Sequence, residues 1–259
     1  MFHGEGSNGK TTVLEAVGKV LKSYVHHLPI AVLMDASNGY SAGKASPELA
    51  QSAHSRILFF SESNEGDYFN EGKIKMLTGE TTISVRQLYC EPFEFKPVFK
   101  MIFDTNHLPK IRGNDFAIWR RLKVIPFTQT FKGTSVDKYL PQKLQSQAEQ
   151  EAIFSWIVEG AMLYYQQGLE DVPSVVEATQ GYREQVESVL PFIRTCVELD
   201  ADCSCNASEL YAAYTQFCID NNLDAESMTS FGRVLKSNGY QKKRVATGMI
   251  YQGLKLKNV

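Results

Sequence analysis

The sequence predicts an α/β fold: a mostly parallel sheet with helices, then a helical segment, then a small C-terminal winged helix-turn-helix domain. Three observations predict it. Gly4-Glu5-Gly6-Ser7-Asn8-Gly9-Lys10-Thr11 matches G-x-x-x-x-G-K-[ST] in full and leads into apolar positions at helical spacing. An apolar run at residues 57–60, bounded by polar residues, reads as a buried, parallel strand, and residues 98–106 read as a second core strand ending in Asn106. From residue 207 the order becomes helix, helix and two short strands, the order of a helix-turn-helix with a wing.

The glycine-rich motif is a P-loop. Its glycines let the backbone turn tightly and aim N–H groups at a di- or triphosphate. Gly4, Gly6, Ser7, Asn8, Gly9, Lys10, Thr11 and Thr12 are the expected nucleotide-binding residues. Lys10 reaches the β- and γ-phosphates, and Thr11 offers its hydroxyl to Mg²⁺. The helix that follows points its N-terminus, and the positive end of its dipole, at the phosphates. A P-loop normally follows a buried strand. Only Met1-Phe2-His3 precede this one, which predicts either a shortened strand or a piece of a longer chain.

Further along, Ser46-Pro47-Glu48-Leu49-Ala50 starts a short helix with an N-cap and a first-turn proline. Residues 57–60 form a buried strand ending in Ser61-Glu62. A helix follows over 70–77, then a hairpin over 81–97 with a turn at Cys90-Glu91-Pro92. A second core strand ends at Asn106, and a third covers 122–127. Ile153, Trp156, Ile157, Gly160, Ala161, Leu163 and Tyr164 recur at helical spacing, and Gly168 stops that helix. Residues 174–197 are helical in one or two pieces. A polar break at 200–206 is the expected domain boundary. The expected domains are therefore an ATPase core at 1–135, a helical segment at 136–199 and the winged helix at 200–259. Helices at 207–221 and 227–238 and strands at 241–245 and 249–256 build the last of these.

Composition excludes several classes. The 259 residues carry a net charge of −2, so nucleic-acid binding must rest on local patches. Five cysteines form no C-x-x-C pair, and reduced thiols of a cytosolic protein are expected. The five histidines contain no H-x-x-x-H pair, and the adjacent His26 and His27 would point different ways on a helix. No apolar run is long enough to span a membrane and no signal peptide is evident, so the expected location is the cytoplasm of a bacterial or phage-infected cell.

Three features narrow the chemistry beyond nucleotide binding. Glu62 ends a buried strand about fifty residues past Lys10, where a Walker B acid belongs at the carboxyl edge of an open sheet. It would activate the attacking water or hold Mg²⁺ through water. Ser61 stands where an aspartate is usual, so direct metal ligation rests more on Thr11. Glu65 is a weaker companion. Asn106 ends the next strand, where an amide can hydrogen-bond both the γ-phosphate and the attacking water. In Trp119-Arg120-Arg121, one arginine would stabilise phosphoryl-transfer charge in a neighbouring subunit.

In this order, GEGSNGKTT, SPELAQSAHSRILFFSESNEG, KIKMLTGETTISVRQLYCEPFEF, KMIFDTNHLPKI and FAIWRRLKVIPF resemble the superfamily 3 helicases. Within them, the chain is similar to the C-terminal part of phage and plasmid primase-helicases of the poxvirus-like type, and SELYAAYTQFCIDNN with SFGRVLKSNGY looks like their winged-helix tail. The resemblance implies an AAA+ ATPase that assembles as a homo-oligomeric, hexameric ring, binds ATP and Mg²⁺, and moves on single-stranded DNA in DNA replication. Carried over by motif, Lys10 and Thr11 bind phosphate and Mg²⁺, Glu62 is the Walker B acid and Mg²⁺ partner, Asn106 is the sensor, and Arg120 or Arg121 is the finger. The 81–97 hairpin would enter the ring pore and grip single-stranded DNA, with Lys75, Arg86 and Lys96 as its cations. The tail carries Arg233, Lys236, Lys242, Lys243 and Arg244 with no acidic residue after Ser227, which suits duplex DNA. The resembling proteins carry a helical collar before the P-loop that is missing here. An alternative is therefore a nucleotide-dependent DNA-binding or replication-initiation module without unwinding. A small-molecule kinase would leave the hairpin, the arginines and the tail unexplained.

Overall fold

The computed structural model describes residues 1–35, 46–61, 63–64, 66–111, 116–245 and 248–257. The chain divides into two compact units, Met1–Thr179 and Gln180–Val259.

The first unit is built on a five-stranded sheet. Its elements are β1 (Phe2–His3), α1 (Lys10–Leu21), β2 (Val25–Leu28), α2 (Pro47–Gln51), β3 (Ile57–Phe60), α3 (Glu71–Gly79), β4 (Ile83–Val85), β5 (Phe93–Phe95), β6 (Lys100–Thr105), α4 (Phe116–Trp119), β7 (Ile125–Pro126), α5 (Leu140–Lys143) and α6 (Gln147–Gln167). The helix α7 (Pro173–Val186) runs across the division between the units. The sheet order is β2-β3-β6-β1-β7, and all four ladders are parallel. The carboxyl ends of β1, β3 and β6 therefore lie along one edge. From β1 the chain crosses to the far side of the sheet and works back to β6, then passes β1 to reach β7. That reversal at β1 is where open parallel sheets leave a crevice for ligands.

Leu58, Phe59 and Phe60 of β3 and Phe103 of β6 are buried, as continuous apolar strands should be. Phe60 stacks on Phe103 with ring centroids 5.0 Å apart. β1 is as short as the sequence suggests, yet it is held on both sides. Phe2 and His3 pair with Asp104 and Thr105 on one flank and with Ile125 and Pro126 on the other. The expected strand at 122–127 shrinks to Ile125–Pro126. Proline has no N–H to donate, and it is tolerated here because β7 is an edge strand.

Two elements differ from expectation. His26 and His27 lie on β2 rather than a helix, paired with Leu58 and Phe59 in the parallel ladder between Val25–Leu28 and Ile57–Phe60. α6 forms at the expected place, capped by the Ser146 side chain, but none of its residues is buried and Trp156 is 62% exposed. Helical periodicity predicts a helix, while the face it covers depends on what packs there.

The second unit contains α8 (Val189–Cys196), β8 (Val197–Asn206), α9 (Ala207–Asp220), α10 (Met228–Ser237), β9 (Lys242–Val245) and β10 (Gly248–Leu256). Its antiparallel sheet has the order β8-β10-β9. The supposed polar break at 200–206 is thus part of a ten-residue strand. It pairs with β10 on both sides of an irregularity at Gln252/Leu254, so distant pairing overrides a polar local sequence. The division accordingly falls at residue 179 rather than 200. Val189, Phe192 and Ile193 of α8 share one core with Leu210, Tyr214, Phe231 and Leu254. Asn206 and Ser227 cap α9 and α10 through their side chains.

Phe231 is buried and stacks on Tyr214 at 4.6 Å. Phe231→Ala is expected to cost the second unit about 3–5 kcal/mol, because the fixed ring of aromatic neighbours leaves a cavity that closes poorly. Denaturant titration followed by near-UV circular dichroism would measure it. A loss below about 1 kcal/mol would contradict this account of the core.

Candidate functional site

The loop between β1 and α1 is anchored to the chain that follows β7. A Cβ on Gly4 would run into the Phe127 carbonyl oxygen and lie 2.5 Å from Asn8 Nδ2, so only glycine fits. Asn8 Nδ2 donates to the Phe127 carbonyl at 3.2 Å, and the Phe131 N–H donates to the Ser7 carbonyl at 2.8 Å. Gly9 caps α1 in the left-handed region at φ 87°. It offers no side-chain cap, and the first turn of α1 holds no acidic residue. The first N–H groups of a helix lack intrahelical partners, which suits this end to an anion. Gly6 has open space where a side chain would project.

Lys10 is 3% exposed and turns back into the loop. Its ammonium donates to the Gly4 carbonyl at 2.7 Å, Asn106 Oδ1 at 2.8 Å, Asn8 Oδ1 at 3.0 Å and the Glu5 carbonyl at 3.2 Å. An ammonium has three protons, so these four acceptors share them. Thr11 Oγ1 donates to Asp104 Oδ2 at 2.5 Å, and Asp104 Oδ1 lies 4.0 Å from Lys10 Nζ. The fold therefore brings Lys10, Thr11 and Asn106 together, along with Asp104, which the sequence reading passed over. One signal could have found it. A carboxylate inside the run Met101-Ile102-Phe103-Asp104-Thr105 is out of place in a buried strand unless something pairs with it.

Glu62 and Glu65 lie outside the described residues. Beside them, Ser61 is exposed and Ser63 is buried. The Ser63 hydroxyl donates to the His107 carbonyl at 2.8 Å and lies 2.9 Å from the Thr105 hydroxyl. These contacts tie the segment after β3 to the end of β6. His3, at the end of β1, is held below the usual histidine range, first by burial and then by the charges of Lys10 and His107. A hydrogen bond to the Asn106 backbone opposes that shift.

The two arginines differ. Arg121 Nε donates to Thr78 Oγ1 at 2.9 Å and Nη1 donates to the Ala117 carbonyl at 2.5 Å. Its Nη2 stands 2.6 Å from where a Cβ on Gly79 would be. Arg121 therefore clamps the end of α3 to α4. Arg120 is exposed and makes no hydrogen bond or ion pair among the described residues.

In the β4–β5 hairpin, Val85 pairs with Phe93 and Ile83 with Phe95. Arg86 follows β4 at the tip end, and its carbonyl accepts from the Ser46 N–H. Lys96 follows β5 at the opposite end, so the two cations are not neighbours. Lys75 lies on α3, 3.6 Å from Glu71. The tip presents exposed Leu88 and a fully exposed Tyr89 at φ 60°. The sequence reading assigned no role to Tyr89. In the second unit, Arg233 and Lys236 on α10 and Lys242, Lys243 and Arg244 on β9 are all exposed. Lys236, Lys242, Gly232 and Tyr251 help line a groove of about 640 Å³, with the Lys242 ammonium 5.6 Å from the Tyr251 ring centre. Among the described residues, no cluster of three or more His, Cys, Asp or Glu could hold a metal ion, and no helix is long and apolar enough to cross a membrane.

The sequence profile of a family of unknown function (DUF5906) matches residues 2–121. A provisionally named helicase of Acanthamoeba polyphaga mimivirus is 41% identical over 49% of this chain, which spans 13% of that protein. A provisionally named helicase of Frog virus 3 is 28% identical over 90% of this chain, which spans 25% of that protein. A provisionally named primase of African swine fever virus is 23% identical over 84% of this chain and spanned to 24%. The chain is similar to helicases and primases of large DNA viruses. It spans a quarter or less of these relatives' length. Among solved structures, the NrS-1 C-terminal region aligns over 96% of this chain and 65% of that one at 13% identity. The TM-score of that alignment is 0.48.

Proposed function

We propose that the first unit is a P-loop ATPase of the AAA+ type, and that it serves a viral DNA helicase or primase-helicase. One observation carries this reading. Lys10 and Thr11, at the start of α1, converge with Asn106, at the end of β6, on the carboxyl edge of an all-parallel sheet. The names of the viral relatives favour the same reading.

Each residue then has a role. Lys10 exchanges its loop carbonyls for the β- and γ-phosphate oxygens of ATP, and the α1 N-terminus takes a phosphate on its free N–H groups. Asn106 orients the attacking water, and Glu62 accepts its proton. Mg²⁺, when bound, neutralises charge on the phosphates. An Asp104 oxygen with no hydrogen bond among the described residues, beside the Thr11 hydroxyl, fits a cation there. Arg120 reaches the site of a neighbouring copy in a hexameric ring. The exposed hairpin tip meets single-stranded DNA, Tyr89 by stacking on bases and Leu88 by apolar contact, with Arg86 beside them on a phosphate, while Lys96 at the other end of the hairpin and Lys75 on α3 contact phosphates further along the strand. The second unit is a winged helix, with α9 and α10 as the helix pair and β9–β10 as the wing. Arg233, Lys236, Lys242, Lys243 and Arg244 would face duplex DNA.

ATP hydrolysis should be measured with and without single-stranded DNA, across a salt series, in an assembly sized by light scattering. Stimulation by DNA that fades with salt is expected. Hydrolysis indifferent to DNA in a demonstrated ring would sink the translocase reading and favour a nucleotide-dependent binding module. No hydrolysis and no nucleotide binding would remove the ATPase reading altogether.

A further inference from the structure

We infer that Asp104 is a direct magnesium ligand, standing in for the acid that Ser61 lacks. The inference rests on the nucleotide reading above.

The geometry begins in the sheet register. Phe103 of β6 pairs with Phe60 of β3, so Asp104 lies one step further along β6, abreast of Ser61. On its other side, Asp104 pairs with Phe2 of β1, two residues before the loop. The acid has moved by one strand, into the slot nearest the loop. Ser61 is short and uncharged, so the end of β3 offers no carboxylate at that position.

The two oxygens of Asp104 are unlike. Oδ2 accepts the Thr11 hydroxyl proton at 2.5 Å. Oδ1 is buried and accepts no hydrogen bond among the described residues. The residue is 7% exposed, so water does not solvate that oxygen freely. Lys10 stands 4.0 Å away, and its protons go to Gly4, Glu5, Asn8 and Asn106. Buried carboxylate oxygens are normally hydrogen-bonded, paired or metal-bound. An oxygen left open beside the threonine expected to meet the metal is what a ligand position requires.

Thr11 is compatible with this arrangement. A hydroxyl has one proton and two lone pairs. With its proton on Asp104 Oδ2, the lone pairs of Thr11 are free to face a cation. Asp104 thus orients Thr11 and supplies its own second oxygen. Mg²⁺ is typically held by one or two carboxylates together with phosphates and waters, and this pair meets that need.

A purely structural role makes a different prediction. If Asp104 only braced Thr11 and offset the charge of Lys10, its loss would weaken nucleotide binding equally with and without metal.

The test uses a fluorescent ADP analogue and Mn²⁺, read by binding titration and by electron paramagnetic resonance. In the unaltered chain, metal should tighten nucleotide binding, and Mn²⁺ should bind with nucleotide. In Asp104→Asn, metal-free nucleotide binding should stay within about threefold, while Mn²⁺ affinity falls about 10- to 100-fold or more. A second variant guards against misfolding. Asp104→Cys places a soft thiolate there, so Cd²⁺ should restore the metal-dependent gain where Mg²⁺ does not. The unaltered chain with Cd²⁺ controls for the five native cysteines. Mn²⁺ affinity unchanged in Asp104→Asn overturns the inference, as does equal weakening with and without metal. Absence of nucleotide binding in the unaltered chain overturns the ATPase reading instead, so the two failures are distinct.

Discussion

Lys10→Met is expected to lower ATP hydrolysis at least ~10²–10³-fold, the usual cost of removing one preorganised donor from a phosphoryl or acyl transfer site. Methionine keeps the length and apolar stem of the side chain, so the buried position at the start of α1 stays filled. What disappears is the ammonium that now holds the Gly4 and Glu5 carbonyls, Asn8 and Asn106. Those acceptors then lose a partner, at about 1–3 kcal/mol for a group left buried and unpaired. A modest fall in melting temperature should therefore accompany the much larger loss of turnover. Nucleotide binding, steady-state hydrolysis and a thermal melt on one preparation separate the two effects. Hydrolysis within a few-fold of the parent would show that Lys10 serves only to brace the loop.

Arg120→Ala is expected to reduce hydrolysis by ~10³-fold or more in the assembled protein, within the range for a finger supplied in trans. The same change should leave nucleotide binding and folding nearly intact, because Arg120 is exposed and holds nothing among the described residues. Arg121→Ala should do the reverse in kind. It removes hydrogen bonds to Thr78 and Ala117, which join α3 to α4, and costs about 1.5–3 kcal/mol for charged donors. Mixing gives a sharper check. Lys10→Met copies retain Arg120, and Arg120→Ala copies retain Lys10. An interface between them holds one intact site, so a mixture should recover part of the activity that neither variant has alone. No recovery in a mixture shown to co-assemble would argue against an arginine acting between copies.

Much of the first unit was legible because its signals are local. The glycines, Lys10 and the apolar spacing after it place a loop and a helix without reference to anything distant. Asn106 was legible because it ends an apolar run, and strand ends gather along one edge of a parallel sheet. Asp104 was not. Its meaning comes from Thr11, 93 residues earlier in the chain, and from the placement of β6 beside β1. β8 was missed for a similar reason, since a polar segment becomes a strand through its ladder with β10. The hairpin was expected to grip through cations, yet Arg86 and Lys96 stand at opposite ends and the tip carries Leu88 and Tyr89. Glu62 lies outside the described residues.

By itself, the sequence determined the glycine-rich loop and its helix, the buried strands β3 and β6, and the helix pair and two strands of the second unit. In each case a short-range period or a capping residue carries the information. The assembled fold, not any local pattern, secures the two-residue β1 from both sides and sets Asp104 against Thr11. It also decided that Arg121 is engaged within its own chain, while Arg120 has no hydrogen bond or ion pair among the described residues. Those outcomes depend on strand order and on pairings between residues far apart in the chain, which no local pattern encodes.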